Sequence, residues 1–218
     1  GQHKLERLAD LARRTGIKVV ADNDAVLAGL SHAAALAGRN IEALVECDTG
    51  GGRCGVQSPE AAIALAEMIA AAPGLTFGGI LTYPKAHTEE AVETFFAATL
   101  AGLAARGIPC PIISNGGTPS LFSAHKVTSA TEHRAGTYVY NDRSMVRAGE
   151  CGPGDLAMHV LATVVSRPTP DRAVLDCGSK ALTSDLLGFT DYGEIEGLPG
   201  ARITSLSEEH AVVDLSAC

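Results

Sequence analysis

Apolar and polar positions along the first 150 residues form a repeated pattern that predicts strands alternating with helices. Four short apolar runs predict buried strands, because each run is continuous and does not alternate; they cover residues 17–21, 43–47, 77–83 and 108–114. Apolar positions at helical spacing predict helices over residues 2–14, 24–38, 59–72 and 88–106. Strand–helix units in this order indicate a parallel sheet of the (β/α)-barrel type.

Smaller signals complete the pattern. Asp24 is placed to cap the second helix, residues 120–125 have a short helical pattern, and residues 136–140 are a predicted fifth strand. Near residue 150 the pattern changes to β-branched runs and turn residues without helices, which predicts an antiparallel β domain. Its predicted strands lie at residues 156–165, 173–176 and within 202–215. The predicted domains are therefore residues 1–150 and residues 151–218.

Composition excludes two classes of partner. The 218 residues carry a net charge of −8 and contain no Lys/Arg cluster, which argues against nucleic-acid binding. No apolar run approaches the roughly 20 residues of a membrane span. The six cysteines form no CxxC pair, so we expect reduced thiols in a cytoplasmic protein and not a disulfide framework.

Residues 43–56, ALVECDTGGGRCGV, are the first candidate for chemistry. A strand runs into three glycines and Arg53, and Ser58-Pro59 then begins a helix. Glycines let a ligand approach the backbone, and Arg53 follows the carboxyl end of a strand, where α/β proteins place their active sites. A tight turn with a solvated arginine accounts for the same residues, so both interpretations stay open here.

The loop after the fourth predicted strand is the second candidate; it contains Ser114, Asn115, Gly116, Gly117 and Thr118. Small residues with free N–H groups before a short helix can cradle a phosphate. Gly136 and Thr137 would form a second wall. Two ordinary turns are the alternative. Tyr83 either offers its hydroxyl or ring to a planar ligand or packs at the mouth of the core.

Other polar residues give weaker signals. No metal site is readable, because the histidines show neither HxH nor HxxxH spacing. Lys180, in the β domain, is either catalytic or a solvated turn residue, and the second interpretation is the simpler one. The motif at residues 207–210, SEEH, sets carboxylates beside an imidazole, and a polar turn between strands explains it as well.

Five motifs occur in one order along the chain: DTGGGRCGV at 48–56, SNGGTP at 114–119, TEHRAGTY at 131–138, DCGSK at 176–180 and SEEH at 207–210. Together they resemble the D-threonine aldolase family, which includes metal-activated D-serine dehydratases and 3-hydroxy-D-aspartate aldolases and shares the alanine-racemase fold. The resemblance covers nearly the whole chain. It implies the later strands of a (β/α)8-type barrel that binds pyridoxal 5′-phosphate (PLP), followed by an incomplete antiparallel β domain.

The resemblance also implies roles for particular residues. Arg53 matches the family arginine beside the cofactor ring, and Tyr83 matches the tyrosine near that ring. The loop from Ser114 to Thr118 and the segment Gly136, Thr137 and Tyr138 match the phosphate-binding loops. A divalent metal, Zn²⁺ or Mn²⁺, a D-amino acid substrate and a homodimer are implied by the family as well.

Two departures from the family are visible. The family's cofactor-binding lysine lies on an early barrel strand, and none of the five lysines sits in that motif; they are Lys4, Lys18, Lys85, Lys126 and Lys180. The family's metal ligands match no residue up to Cys218. We therefore expect a fragment that has no turnover by itself.

The function implied for the whole enzyme is cleavage of D-threonine-like substrates to glycine and an aldehyde, with the cofactor as electron sink. Dehydration of D-serine or 3-hydroxy-D-aspartate is the alternative. A non-catalytic PLP- or phosphate-binding module and a segment that only completes an oligomer are two further alternatives.

Overall fold

Two sheets of different kinds organise the chain in a computed structural model that describes residues 1–218. Unit 1 comprises Gly1–Val139 and Arg147–Cys151, and unit 2 comprises Tyr140–Val146 and Gly152–Cys218. The short helix Arg143–Ala148 contains the change from unit 2 to unit 1 between Val146 and Arg147. No helix has the length and apolar character needed to cross a membrane.

Unit 1 is a five-stranded parallel sheet with the strands in sequence order. Its strands are β1 Lys18–Ala21, β2 Ile41–Cys47, β3 Leu75–Thr82, β4 Ile112–Asn115 and β5 Glu132–His133. Its helices are α1 Gln2–Arg14, α2 Asp24–Ala37, α3 Pro59–Ala71 and α4 Glu89–Ala105. This arrangement confirms the partial (β/α) barrel predicted from the apolar runs.

The core of unit 1 lies between the helices and one face of the sheet. Ile41 and Val45 of β2 are fully buried there, as are Phe96 and Val92 of α4. Burying such a side chain stabilises the fold by about 1.5–3 kcal/mol. Because side chains alternate across a strand, Glu46 of β2 belongs to the opposite face, where the polar residues described below are found.

The helix caps follow from local hydrogen bonding. Ser58 caps α3 as predicted, since its Oγ accepts the N–H of Ala61 at 3.2 Å. The predicted cap of α2 was wrong by one residue: Asn23 Oδ1 accepts the N–H of Val26 at 2.9 Å, and Asp24 is the first helical residue. An aspartate in that position is still favourable at a helix N-terminus.

Two predicted strands of unit 1 are placed differently. β4 begins at Ile112 and not at residue 108, because Pro109 and Pro111 have no N–H to donate to a ladder. The fifth strand is Glu132–His133, whereas residues 137–139, predicted as strand, form a 3₁₀ turn. The helical piece predicted at residues 120–125 is also two 3₁₀ turns, Thr118–Ser120 and Ala124–Lys126.

Unit 2 is a four-stranded antiparallel sheet in the order β6-β7-β9-β8. Its strands are β6 Val164–Thr169, β7 Arg172–Leu175, β8 Arg202–Leu206 and β9 Ala211–Asp214, and α5 is Arg143–Ala148. The prediction that β6 covers residues 156–165 was wrong. A tight turn pairs Thr169 with Arg172, and β7 ends at Leu175, so it offers no partner before Val164. The antiparallel architecture itself is confirmed.

Candidate functional site

The first loop of the site follows β2 and is shaped by Asp48. Its Oδ1 accepts the N–H groups of Gly50 and Gly52, each at 3.0 Å. These bonds, led by the one from Gly52, hold the pKa of Asp48 below its usual range. The loop closes at Gly55, where φ is +118° and a Cβ would lie 2.5 Å from Asp48 N. Only glycine fits that position without a shift of the backbone.

Arg53 projects from this loop toward Tyr83, which follows β3. Its Cζ lies 4.7 Å from the centroid of the Tyr83 ring, a cation–π distance. Its Nη2 lies 3.9 Å from Oε1 of Glu46, whose side chain is 15% exposed against 61% for Arg53. The arginine is therefore oriented by a ring and a largely buried carboxylate, while its own side chain stays open to a ligand.

Arg134 ties the ends of three neighbouring strands together. Its Nε donates to Ser114 Oγ at 2.8 Å, and its Nη2 donates to the carbonyl oxygen of Thr82. Burial lowers the pKa of Arg134. Arg134 lies within the TEHRAGTY motif, which predicted no role for it. The signal available was a single cation two residues before Gly136, where the second predicted phosphate segment begins.

Thr118 joins the two predicted phosphate segments. Its Oγ1 accepts the N–H of Gly136 at 3.1 Å and the N–H of Tyr138 at 3.3 Å, and the residue is 4% exposed. These bonds also explain why residues 136–138 turn, because the N–H groups that a strand would pair are already used. Thr137 lies between them on the exposed side of the turn.

The glycine loop, residues 114–118, contains buried polar groups without partners. Gly116 and Gly117 are buried residues, and their N–H groups donate to no acceptor in the chain. Asn115 is 2% exposed, and its Oδ1 has no hydrogen-bond partner. Buried polar groups are nearly always paired in folded proteins, so this cluster is suited to a polar ligand.

The helix that was expected to follow this loop is absent. Thr118–Ser120 is one 3₁₀ turn of three residues, too short for a macrodipole that favours an anion. An anion here would depend on the individual N–H groups. A Cβ on Gly117 would lie 2.8 Å from Cε2 of Tyr83, so the glycine backbone is packed against the aromatic ring.

The two β-domain motifs meet each other in unit 2. Gly178 packs against the backbone of Ser207 and Glu208, and a Cβ on Gly178 would lie 2.3 Å from the backbone carbonyl oxygen of Ser207. Lys180 Nζ lies 2.6 Å from Glu209 Oε1 and 3.3 Å from Glu208 Oε2, and the side chain is 61% exposed. This is the solvated turn lysine of the simpler interpretation. No group of three or more His, Cys, Asp or Glu side chains is arranged to hold a metal ion.

Comparison with protein families agrees with this geometry. The model of the alanine racemase N-terminal domain matches residues 1–144. The chain belongs to this family. A second model, of a serine dehydratase-type domain, matches residues 157–218. The two matches fall on the parallel and the antiparallel sheet respectively.

Members of known activity resemble the chain over nearly its whole length. A D-threonine aldolase from Arthrobacter sp. is 36% identical across 98% of the chain and 59% of its own length. A D-threo-3-hydroxyaspartate dehydratase from Delftia sp. (strain HT23) is 30% identical across 97% of the chain and 62% of its own length. The chain thus spans about 60% of the length of these relatives.

Solved structures extend the similarity to the fold. A D-threonine aldolase from Filomicrobium marinum superposes with a TM-score of 0.84 at 30% identity, over 100% of this chain and 62% of that one. An alanine racemase from Clostridium difficile 630 superposes with a TM-score of 0.63 at 13% identity, over 96% of this chain and 59% of that one. The second match shows a common alanine-racemase fold and nothing more.

Proposed function

We propose that this chain forms the cofactor-binding part of a PLP-dependent lyase that acts on D-3-hydroxy amino acids. Its reaction would be aldol cleavage of D-threonine-like substrates to glycine and an aldehyde. The observation that carries the proposal is the meeting of unpaired N–H groups at the buried residues Gly116 and Gly117 with Arg53 and Tyr83. The similarity to D-threonine aldolase over 98% of the chain supports the substrate class.

The residues present fit the phosphate of such a cofactor. The N–H groups of Gly116 and Gly117 have no acceptor of their own. Thr118 Oγ1 accepts two N–H groups, so its hydroxyl hydrogen stays available to donate. The three donors belong to consecutive residues, and anion-binding loops are built in this way. Thr137 and the Gly136–Tyr138 turn would close the other side.

Arg53 and Tyr83 fit the ring of the cofactor. A planar ring could lie against Tyr83, whose packing on Gly117 holds it next to the phosphate loop. Arg53, which lies over the Tyr83 ring, would then donate charge-assisted hydrogen bonds to the ligand. PLP, when bound, supplies the electron sink for the bond broken at Cα. The chain contributes binding, orientation and positive charge.

Dehydration is the second candidate function, because one relative is a D-threo-3-hydroxyaspartate dehydratase. We propose that the divalent metal of either reaction, Zn²⁺ or Mn²⁺, would take its ligands from outside residues 1–218, because no group of three or more His, Cys, Asp or Glu side chains here is arranged to hold one. The working enzyme is proposed to be a cytoplasmic homodimer.

A chimera tests the proposal. Residues 1–218 would replace the matching segment of the Arthrobacter D-threonine aldolase, and the product would be assayed with PLP and Mn²⁺ or Zn²⁺. We expect glycine and acetaldehyde from D-threonine and no product from L-threonine. Ammonia released from D-threo-3-hydroxyaspartate, without aldehyde from D-threonine, would assign the dehydratase instead. A folded, PLP-loaded chimera that processes neither D-substrate would contradict both.

Residues 1–218 assayed alone are expected to show no turnover. Covalent catalysis needs a lysine amine at the cofactor carbonyl, and two of the five lysines are ion-paired outside the strand-end loops: Lys18 with Glu42, and Lys180 with Glu208 and Glu209. Lys85 follows Tyr83 on the same loop and is the nearest substitute by position. Borohydride reduction and peptide mapping would identify any lysine bound to PLP. A stoichiometric adduct on one lysine would contradict the expectation.

A further inference from the structure

The imidazole of His133 contacts the glycine loop and has no part in the function proposed above. Its Nε2 lies 3.0 Å from the carbonyl oxygen of Gly117. A carbonyl oxygen can only accept, so Nε2 must carry the hydrogen of this bond. The other nitrogen, Nδ1, is buried and has no partner. The contact therefore defines one protonated nitrogen and one direction of donation.

The ring also fills the space beside Gly116. A Cβ at Gly116 would lie 2.0 Å from Cε1 of His133 and 2.2 Å from Nδ1, and φ of Gly116 is +81°. The imidazole thus occupies the position that any side chain on residue 116 would need. The backbone of Gly116 and the His133 ring are closely packed, which restricts how the loop can rearrange.

Strand pairing anchors the imidazole from below. His133 is the register partner of Asn115 across β4 and β5. The N–H of Arg134 donates to the backbone carbonyl oxygen of Asn115 at 3.0 Å. This pairing fixes the backbone of His133 beside the loop. The loop is therefore contacted by a side chain that comes from a paired strand.

Two donors share the Gly117 carbonyl oxygen, His133 Nε2 at 3.0 Å and the N–H of Ser120 at 3.1 Å, and the direction of this carbonyl determines where the next N–H group points. No peptide bond in the chain is cis, and in a planar trans peptide the C=O and N–H groups point in opposite directions. Because the Gly117 carbonyl points at His133, the N–H of Thr118 points away from the imidazole. That N–H donates to no acceptor in the chain.

We propose that His133 is a positioning residue of the glycine loop: its Nε2–H, together with the N–H of Ser120, fixes the Gly117–Thr118 peptide so that the Thr118 N–H faces a bound phosphate. The inference rests on the proposed function, because the phosphate is that of the cofactor. His133 itself touches neither phosphate nor substrate. Its contribution is to orient a hydrogen-bond donor. Removing His133 should therefore weaken binding of the cofactor's phosphate and leave binding of the pyridine ring unchanged.

Two variants separate the hydrogen bond from the bulk of the side chain. Glutamine in His133→Gln can place an N–H donor near the position of Nε2, whereas leucine in His133→Leu keeps an apolar volume without a donor. Each chain of 218 residues would be titrated with inorganic phosphate, PLP and pyridoxal. The amide ¹H–¹⁵N shifts of Gly117 and Thr118 report the loop, and the ratio of PLP to pyridoxal affinity reports the phosphate.

In wild type we expect phosphate to shift both amides and PLP to bind more tightly than pyridoxal. In His133→Leu the PLP affinity should fall about tenfold while pyridoxal affinity stays within about twofold. His133→Gln should recover most of the loss. A His133→Leu chain with the wild-type ratio would overturn the role of His133 alone. If His133→Leu does not fold, a folded His133→Gln chain that loses all phosphate preference would overturn it too.

The wild-type chain tests the phosphate site separately from the role of His133. If wild type binds PLP and pyridoxal equally, or if phosphate leaves the Gly117 and Thr118 amides unshifted, the proposed phosphate site is wrong and the role of His133 falls with it. A wild-type preference that disappears only in His133→Leu supports both.

Discussion

Polar motifs occur in both units, but their polar groups are in different physical states. In unit 2, Lys180, Glu208 and Glu209 pair with one another in solvent, where ion pairs contribute little to stability. In unit 1, Asn115 Oδ1 and the N–H groups of Gly116 and Gly117 have no partner in the chain, and all three residues are buried. A motif that satisfies its own groups is explained by structure alone. A motif with unpaired donors at buried residues is suited to a ligand, which is why we propose that the function resides in unit 1.

Two tightly packed glycines test the units separately and should give the largest effects. Gly55→Ala adds a methyl group 2.5 Å from Asp48 N at φ +118°, and we expect it to destabilise unit 1 by about 3 kcal/mol. Gly178→Ala places its methyl group 2.3 Å from the Ser207 oxygen and should destabilise the sheet of unit 2 by a similar amount. Hydrogen exchange, resolved by unit, measures both.

The control for these variants is Gly136→Ala, because no atom lies within 4 Å of a Cβ at Gly136. It should change the free energy of unfolding by less than about 0.5 kcal/mol. Equal exchange behaviour in Gly55→Ala and Gly136→Ala would show that the loop after β2 is not constrained as described.

Arg53→Ala should weaken PLP binding by about 1.5–3 kcal/mol, because a charge-assisted hydrogen bond to the ligand is lost. The matched control is Lys180→Ala, which removes an equally exposed cation from unit 2 and should leave PLP affinity unchanged. Isothermal titration of both chains measures the difference. Unchanged affinity in Arg53→Ala, together with unchanged turnover of the same variant in the chimera, would remove Arg53 from the site.

Thr118→Val should lower PLP affinity by about 1–2 kcal/mol. Valine has the shape of threonine but cannot accept the N–H groups of Gly136 and Tyr138, so the two phosphate segments separate. Thr118→Ser keeps the oxygen and should retain most of the affinity. Full affinity in Thr118→Val, together with a loss in Thr118→Ser, would mean that the methyl group, and not the hydroxyl oxygen, is needed.

The smallest expected effect is a pH dependence of the loop after β2. The Gly52 amide lowers the pKa of Asp48 in the folded chain, so the stabilisation is complete above the unfolded pKa of about 3.9 and is lost as the pH falls through the lower folded pKa. Amide shifts of Gly50 and Gly52 between about pH 5 and 2 would follow it. Asp48→Asn should abolish the titration of both amides, and a titration that persists in this variant would assign it to another group.

The parts of the fold that could be predicted depend on local sequence. The continuous apolar runs of β2 and β3 and the cap at Ser58 specify their structures over a few residues. β5 and β6 could not be placed in this way, because their ends are set by distant partners. The N–H groups at Gly136 and Tyr138 are taken by Thr118, and the short β7 limits how far β6 can pair.

The residues of the candidate site also differ in whether local sequence could predict them. The glycine loop and Arg53 were visible because glycines and a cation at strand ends have a direct physical meaning, and the structure brings Arg53 to Tyr83 and Gly117 to the same ring. Arg134 and His133 were missed, because their contacts join residues far apart in sequence. Arg134 reaches the carbonyl of Thr82 across 52 positions, and no local pattern announces such a bond.

The most direct test of the central claim is a crystal structure of residues 1–218 with bound PLP. We predict phosphate oxygens at hydrogen-bond distance, about 3 Å, from the backbone nitrogens of Gly116, Gly117 and Thr118, with the pyridine ring beside Tyr83 and Arg53. A phosphate bound elsewhere on the chain, with these nitrogens bonded only to water, would contradict the account.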